Sequence, residues 1–188
     1  MKKTIFTIVG STILLAACNN GASDSSASTE KKDTAATAAV MSDKDSKDAK
    51  EARNKKIIAA SMEAFNNHDV DGMMKDADPN TVEYGDGMMK PVKGVDSVKT
   101  FIKAWVTAMP DTKGEDLKIV ADGDWVMVWG KWSGTWKAEL MGMKPTGKPY
   151  KVSDVDIFKM SDDGKILEHH NVLPGSVIAM QVGMKMGK

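Results

Sequence analysis

The sequence predicts an α+β domain in which helices precede an antiparallel sheet, and three observations predict it. Up to Met109 the apolar residues recur every three to four positions. Beyond Pro110 the period shortens to two, in segments rich in valine, tryptophan and isoleucine. Between those segments stand turn sequences, Asp122-Gly123 and Ser161-Asp162-Asp163-Gly164.

Each element follows from its own residues. Glu51 to Asn67 sets Ile57, Ile58, Met62 and Phe65 on one stripe with charges between them, a first amphipathic helix. His68-Asp69-Val70-Asp71 breaks it and caps a short second helix through Met73-Met74, which Asp78-Pro79 ends. A short strand, Thr81–Tyr84, comes next. From Val95 to Met109, Val98, Phe101, Ile102, Trp105 and Val106 share one stripe of a third helix, stopped by Pro110. Two hairpins complete the domain: Asp116–Ala121 with Asp124–Lys137, and Lys151–Met160 with Lys165–Val172. A curved sheet closed by a helix encloses a cone-like pocket.

The N-terminus predicts export. Lys2-Lys3 precedes an apolar run from Ile5 to Leu15, and Leu15-Ala16-Ala17-Cys18 follows. This is the pattern of a cleaved secretion signal over residues 1–17, with Cys18 as the lipidated first residue. The run is too short to cross a bilayer as a stable helix. Acyl chains on Cys18 anchor the protein to a membrane. Residues 18–50 are rich in Ser, Ala, Thr, Asp and Lys, cannot offset their ordering entropy by burial, and are expected to form a disordered tether. Asn19 is not the aspartate associated with inner-membrane retention, so the expected location is the cell envelope, at the outer membrane. From Glu51 on, about 140 residues remain, a common size for one domain. Cys18 is the only cysteine, so stability has to come from the core. Net charge is +0, which excludes the basic footprint of nucleic-acid binding.

Within the domain, Trp132-Ser133-Gly134-Thr135, Gly142-Met143-Lys144-Pro145-Thr146-Gly147-Lys148-Pro149, Val155-Asp156-Ile157-Phe158 and Gly164-Lys165-Ile166-Leu167-Glu168-His169 occur in order. Together they resemble the SnoaL-like polyketide cyclases, also described as ester cyclases, of the nuclear-transport-factor-2-like superfamily. The resemblance spans roughly 56–180. It implies an α+β cone with a deep apolar cavity, dimerisation through the sheet, and cofactor-free chemistry in which an acidic residue serves as acid and base. Two positions depart from the family pattern. Trp136 stands where a histidine usually follows the glycine-threonine motif, and Asn171 replaces an acid in the closing motif.

If the second hairpin closes with Ser161 facing Lys165, Met160 stands opposite Ile166, Phe158 opposite Glu168 and Asp156 opposite His170, all on one face. An aspartate facing a histidine in a partly apolar pocket makes an acid/base pair, because desolvation lifts the carboxyl toward neutrality and the imidazole opposes it. Asp156 and His170 are therefore the expected catalytic pair, with Asp154 on the same face as substitute. Phe158, Glu168, Trp132, Trp136, Phe65, Trp105 and Tyr84 are expected to line the pocket. Alternation turns His169 away from the pair, to support packing or a dimer contact. His68 sits at the helix break, as a cap or surface group. Strand alternation leaves His68 aside. It also separates Trp125 and Trp129 from Trp132 and Trp136; one pair lines the pocket, or all serve the sheet core and a dimer interface.

Scattered histidines without neighbouring cysteines predict no zinc site, and no cofactor is expected. The expected partners are a small apolar molecule, the membrane and a second copy of the chain. Two other function classes remain open: a non-catalytic dimeric scaffold, and a Cu(I)-binding envelope protein using Met180, Met184 and Met186 as thioether ligands.

Overall fold

The structure, a computed structural model, describes Glu30–Met184, with side chains from Lys44 on. The signal segment, Cys18, Asn19 and Met186 lie outside the described residues. The chain divides into two units, Met1–Ala39 and Val40–Lys188. Of the first only the opening turns of a helix are described; the domain discussed below is the second.

The elements are α1 (Glu30–Asn66), α2 (Val70–Met73), β1 (Ala77–Gly85), β2 (Val92–Lys93), α3 (Val95–Ala108), β3 (Lys113–Asp122), β4 (Trp125–Thr135), β5 (Pro149–Met160), β6 (Ile166–Asn171) and α4 (Gly175–Val182). The strands form one curved, unclosed sheet in the order β2-β1-β6-β5-β4-β3. All neighbours are antiparallel except β1 and β6, which run parallel. The fold is of the nuclear-transport-factor-2-like α+β class. Among the described residues no helix is long and apolar enough to cross a membrane.

The first helix begins at Glu30, well before Glu51, so residues 30–50 are helical where a disordered tether was expected. Alanine and lysine favour that state, and the sheet's acidic turns hold its later part. Lys47 pairs with Asp122 at 2.6 Å, and Lys50 pairs with Asp124 and, at 2.6 Å, with Asp162. Asn54, fully buried, donates to the Gly123 carbonyl at 3.2 Å, and Arg53 Nη1 donates to the Asp162 carbonyl at 2.7 Å. Both hairpin turns are thus gripped by one helix. At its other end Asn66 exchanges two hydrogen bonds with Gly114, and His68, in the left-handed region, bonds the Thr112 carbonyl.

Three corrections concern the other elements. Asp78-Pro79 does not end a helix but lies in β1, which runs well beyond Thr81–Tyr84 at its N-terminal end. Proline is tolerated there because β2 pairs only from Val82 onward, so no ladder bond is lost. Phe101 is exposed on α3, where Val98 and Ile102 carry the buried stripe. The short elements β2 and α4 had no sequence signal.

Ile58 and Met62 of α1 pack with Val126, Val128, Phe158, Met160 and Ile166 of the sheet. Val70, Met74, Val98 and Ile102 form a second cluster under the helices. Ala108, Met109, Trp136, Leu140, Tyr150 and Val182 fill the far end. Along β4, Val126, Val128 and Gly130 point inward while Trp125, Met127 and Trp129 point outward. That is the expected separation of the tryptophans.

Candidate functional site

The site is built where β1, β6 and β5 lie side by side. Asp156 pairs with Asn171, Ile157 with His170, Phe158 with His169 and Lys159 with Glu168; then Met160 pairs with Ile166. Leu167 is therefore an extra residue, a β-bulge, and every residue of β6 beyond it is shifted by one relative to the uniform register. Because side chains alternate, that single step exchanges the faces. His169, expected to turn away, enters the interior, and His170 leaves it.

Inside, His169 is held between two carboxylates. Its Nδ1 contacts Glu83 Oε2 at 2.5 Å and its Nε2 contacts Asp156 Oδ1 at 3.3 Å. Its ring lies 4.6 Å from that of Phe158. Asn171 Nδ2 donates to Asp156 Oδ1 at 2.6 Å and reaches Asp154 Oδ2 at 3.4 Å. Gly85 N–H donates to Glu83 Oε1 at 2.7 Å, and Asp154 Oδ1 accepts from Leu173 N–H at 2.7 Å. Asp156 is 6% exposed, and its Oδ2 is buried without a hydrogen-bond partner.

Burial drives the three central groups in predictable directions, and neighbours modify them. Burial pushes the Asp156 carboxyl up; His169 opposes the rise, while Asp154 and Glu83 add to it. Burial alone lowers the His169 imidazole, but Glu83 and Asp156 overcome it and raise it to about 10. Burial lifts Glu83 too, yet His169 and the Gly85 N–H bring it below the ordinary carboxylate range. At neutral pH the cluster is an imidazolium clamped by Glu83, facing a carboxyl that ionises reluctantly. Asn171 supplies a neutral donor where an acid would have added a fourth carboxyl to Glu83, Asp154 and Asp156.

The predicted residues divide. Asp156, Asp154 and Phe158 sit together on the interior face. His170 stacks on Tyr84 on the other face, with ring centroids 4.6 Å apart and planes 1° apart, and contacts Glu168 Oε2 at 3.2 Å. Glu168 also pairs with Lys159 at 3.1 Å, so Tyr84, Glu168 and His170 are outer-face residues, not pocket lining. Trp132 lies inward, edge-to-face with Phe65 at 5.6 Å. Trp136 and Trp105 belong to the packed far end: Trp136 Nε1 donates to the Ala138 carbonyl at 2.6 Å, and Trp105 meets Tyr150 at 6.2 Å. Met180 is exposed while Met184 packs against the core, so these two thioethers point to different surroundings. Among the described residues no group of three His, Cys, Asp or Glu side chains is placed to hold a metal. Sequence reasoning missed Glu83, His169 and Asn171. The parity of β1 could have placed Glu83; the bulge at Leu167 had no readable signal.

Beside Glu83, His169 and Phe158 lies a cavity of ≈ 20 Å³, also lined by Ser61, Met73 and Met74. That is room for about one water. Among the described residues, methionine, isoleucine and phenylalanine side chains pack between the helices and the sheet, where the resemblance implies a deep apolar cavity.

Solved structures share the architecture. A candidate polyketide cyclase from Xanthomonas campestris pv. campestris superposes with a TM-score of 0.64 at 19% identity, over 71% of this chain and 98% of that one. AclR from Streptomyces galilaeus gives 0.59 at 27% identity, over 73% and 89%. TerC, co-crystallised with polyporic acid, gives 0.57 at 18% identity, over 70% and 98%. No curated protein matches the chain. Residues 55–181 match the model of the SnoaL-like polyketide cyclases, and the chain belongs to that family.

Proposed function

We propose that this chain is a lipid-anchored SnoaL-like domain of the cell envelope, at the outer membrane, that takes a small, largely apolar molecule between its helices and the inner sheet face. Proton transfer through Asp156, without a cofactor, follows from the same reading, with His169 rather than His170 as its partner. The observation that carries it is the buried Asp156 carboxyl: one oxygen is held by Asn171 and His169, the other is bare. A carboxyl raised by burial is a stronger base when ionised and an available acid when not. Through its contact with Oδ1, the His169 imidazolium opposes the rise that burial imposes on the Asp156 carboxyl. Since the cavity admits one water, uptake requires side chains to move, and Met73 and Met74 at its wall are adaptable residues.

The test is native mass spectrometry of the full chain purified from its own membranes. A lipidated Cys18 and a co-purifying organic molecule are expected, and Asp156→Asn should abolish any conversion of that molecule while leaving it bound. An unlipidated, empty protein whose Met73 and Met74 methyl resonances ignore a panel of apolar ring compounds would refute the reading.

A second reading, a paired scaffold without ligand, draws on the small cavity and on the outer sheet face. Val120 is 57% exposed, Trp125 38%, Met127 41% and Trp129 43%, an apolar strip of the kind that a second copy covers in an isologous dimer.

A further inference from the structure

The four most exposed methionines among the described residues lie on three connected elements. Met88 and Met89 stand in the loop between β1 and β2, Met180 on α4 and Met141 in the loop between β4 and β5, each 59% to 82% exposed. Helix α4 ties the two loops together. At its start Gly175 N–H donates to Asp86 Oδ2 at 2.6 Å while Met88 N–H donates to Asp86 Oδ1 at 2.9 Å, so one carboxylate holds the Met88 tip to the helix. At its end Thr146 Oγ1 donates to the Val182 carbonyl, and Lys148 Nζ lies 3.3 Å from where a Cβ on Gly183 would stand. Eight helical residues rise about 12 Å, so both loops border one surface. Lys90, Lys144 and Lys148 are exposed in those loops, and among the described residues none has a carboxylate partner, whereas Lys47, Lys50, Lys131 and Lys159 each hold an acid. Of the loops' two acids, Asp86 is taken up by backbone N–H groups, which leaves Glu139. The surface is therefore both apolar and basic.

Methionine is unbranched and adaptable, and a lysine stem lies along apolar surface with its ammonium in water. Apolar tips ringed by unpaired ammonium groups match the boundary between acyl chains and anionic headgroups. Tryptophan, tyrosine and arginine, the usual anchors of protein partners, are not exposed among the described residues of this surface; the exposed tryptophans stand on the sheet face. We propose that the β1–β2 loop, α4 and the β4–β5 loop form one docking surface for an anionic lipid bilayer, its methionines entering the interface and its lysines meeting phosphate. This contact is separate from any acyl chains on Cys18 and does not depend on them.

The test uses full chain with labelled methionine methyls and vesicles of phosphatidylglycerol and phosphatidylcholine that contain a lipid with a gadolinium-chelate headgroup. Vesicles of phosphatidylcholine alone, doped in the same way, are the comparison. The methyls of Met88, Met89, Met141 and Met180 should broaden on the anionic vesicles, while that of Met127, on the outer sheet face, stays sharp. Each lysine is worth roughly fivefold in affinity for such a surface. Combining Lys90→Glu, Lys144→Glu and Lys148→Glu, all exposed positions, should therefore restore sharp signals even in chain held to the vesicle by its N-terminus. Chain that sediments with the vesicles while all four methyls stay sharp would overturn the surface and leave the N-terminus as the attachment. Broadening confined to one loop would overturn the single surface. Equal broadening on phosphatidylcholine alone, or of Met127 with the four, would overturn it too, by showing contact that charge does not direct.

Discussion

Glu83, His169 and Asp156 show how one cation can be made permanent by its surroundings. Burial favours the neutral imidazole, but two carboxylates on opposite ring nitrogens reverse that and raise His169 to about 10. An NMR titration should find His169 still charged near pH 9. Glu83→Gln should lower its pKa further than Asp156→Asn, because Glu83 supplies the largest raising influence. The same shift sets a pH dependence. A group whose pKa is higher folded than unfolded lends its full stability below the unfolded value, about 6.5 for histidine, and loses it as pH climbs through the folded value. Melting temperature should therefore fall between pH 7 and 10, and fall less steeply in His169→Gln; a flat profile in the wild type would contradict the assignment. Asp156 was legible in the sequence because strand parity and a family motif both point to it. Its partner was not, since that depended on where β6 inserts one residue.

At the scale of elements, the bulge decides which histidine enters the site. Deleting Leu167 should make the β5–β6 pairing one-to-one while keeping Phe158 opposite His169, so His169 should stay beside Asp156. An NMR titration should therefore still assign the charged histidine to residue 169; its transfer to residue 170 would contradict the bulge. A second constraint lies between β3 and β4. A Cβ on Gly114 would meet Trp132 Cζ3 at 2.6 Å, so Gly114→Ala should destabilise by about 1–3 kcal/mol through overpacking and disturb the indole. The two hairpins and α3 were readable because their periods are sustained over many residues. The two-residue β2 and the eight-residue α4 were not, being too short to display a period. Helical residues 30–50 escaped notice because charge pairing with distant turns, not an apolar stripe, holds their described side chains.

At the scale of the domain, and among the described residues, one face of the sheet packs against helices while the other presents Val120, Trp125, Met127 and Trp129 exposed. If Trp125 and Trp129 are covered by a second copy, the double change to lysine should convert a dimer to a monomer in sedimentation velocity without changing the His169 titration. A wild-type monomer would remove the scaffold reading. The separation of the four tryptophans onto two faces followed from alternation alone. The volume between helices and sheet did not, because it depends on how methionines and aromatic rings interdigitate, a three-dimensional matter that pattern cannot carry.

The parallel contact of β1 with β6 joins Ala77 to Ile166, one strand in from the β2 edge of the sheet. Strands β3 to β6 can zip through neighbouring hairpins, but the β1–β2 piece has no mate until nearly the whole polypeptide is present. Long-range closure of this kind is slow. A chain stopped short of residue 166 would thus leave β1 without its partner, and the Glu83 clamp on His169 would be among the last native contacts acquired during refolding.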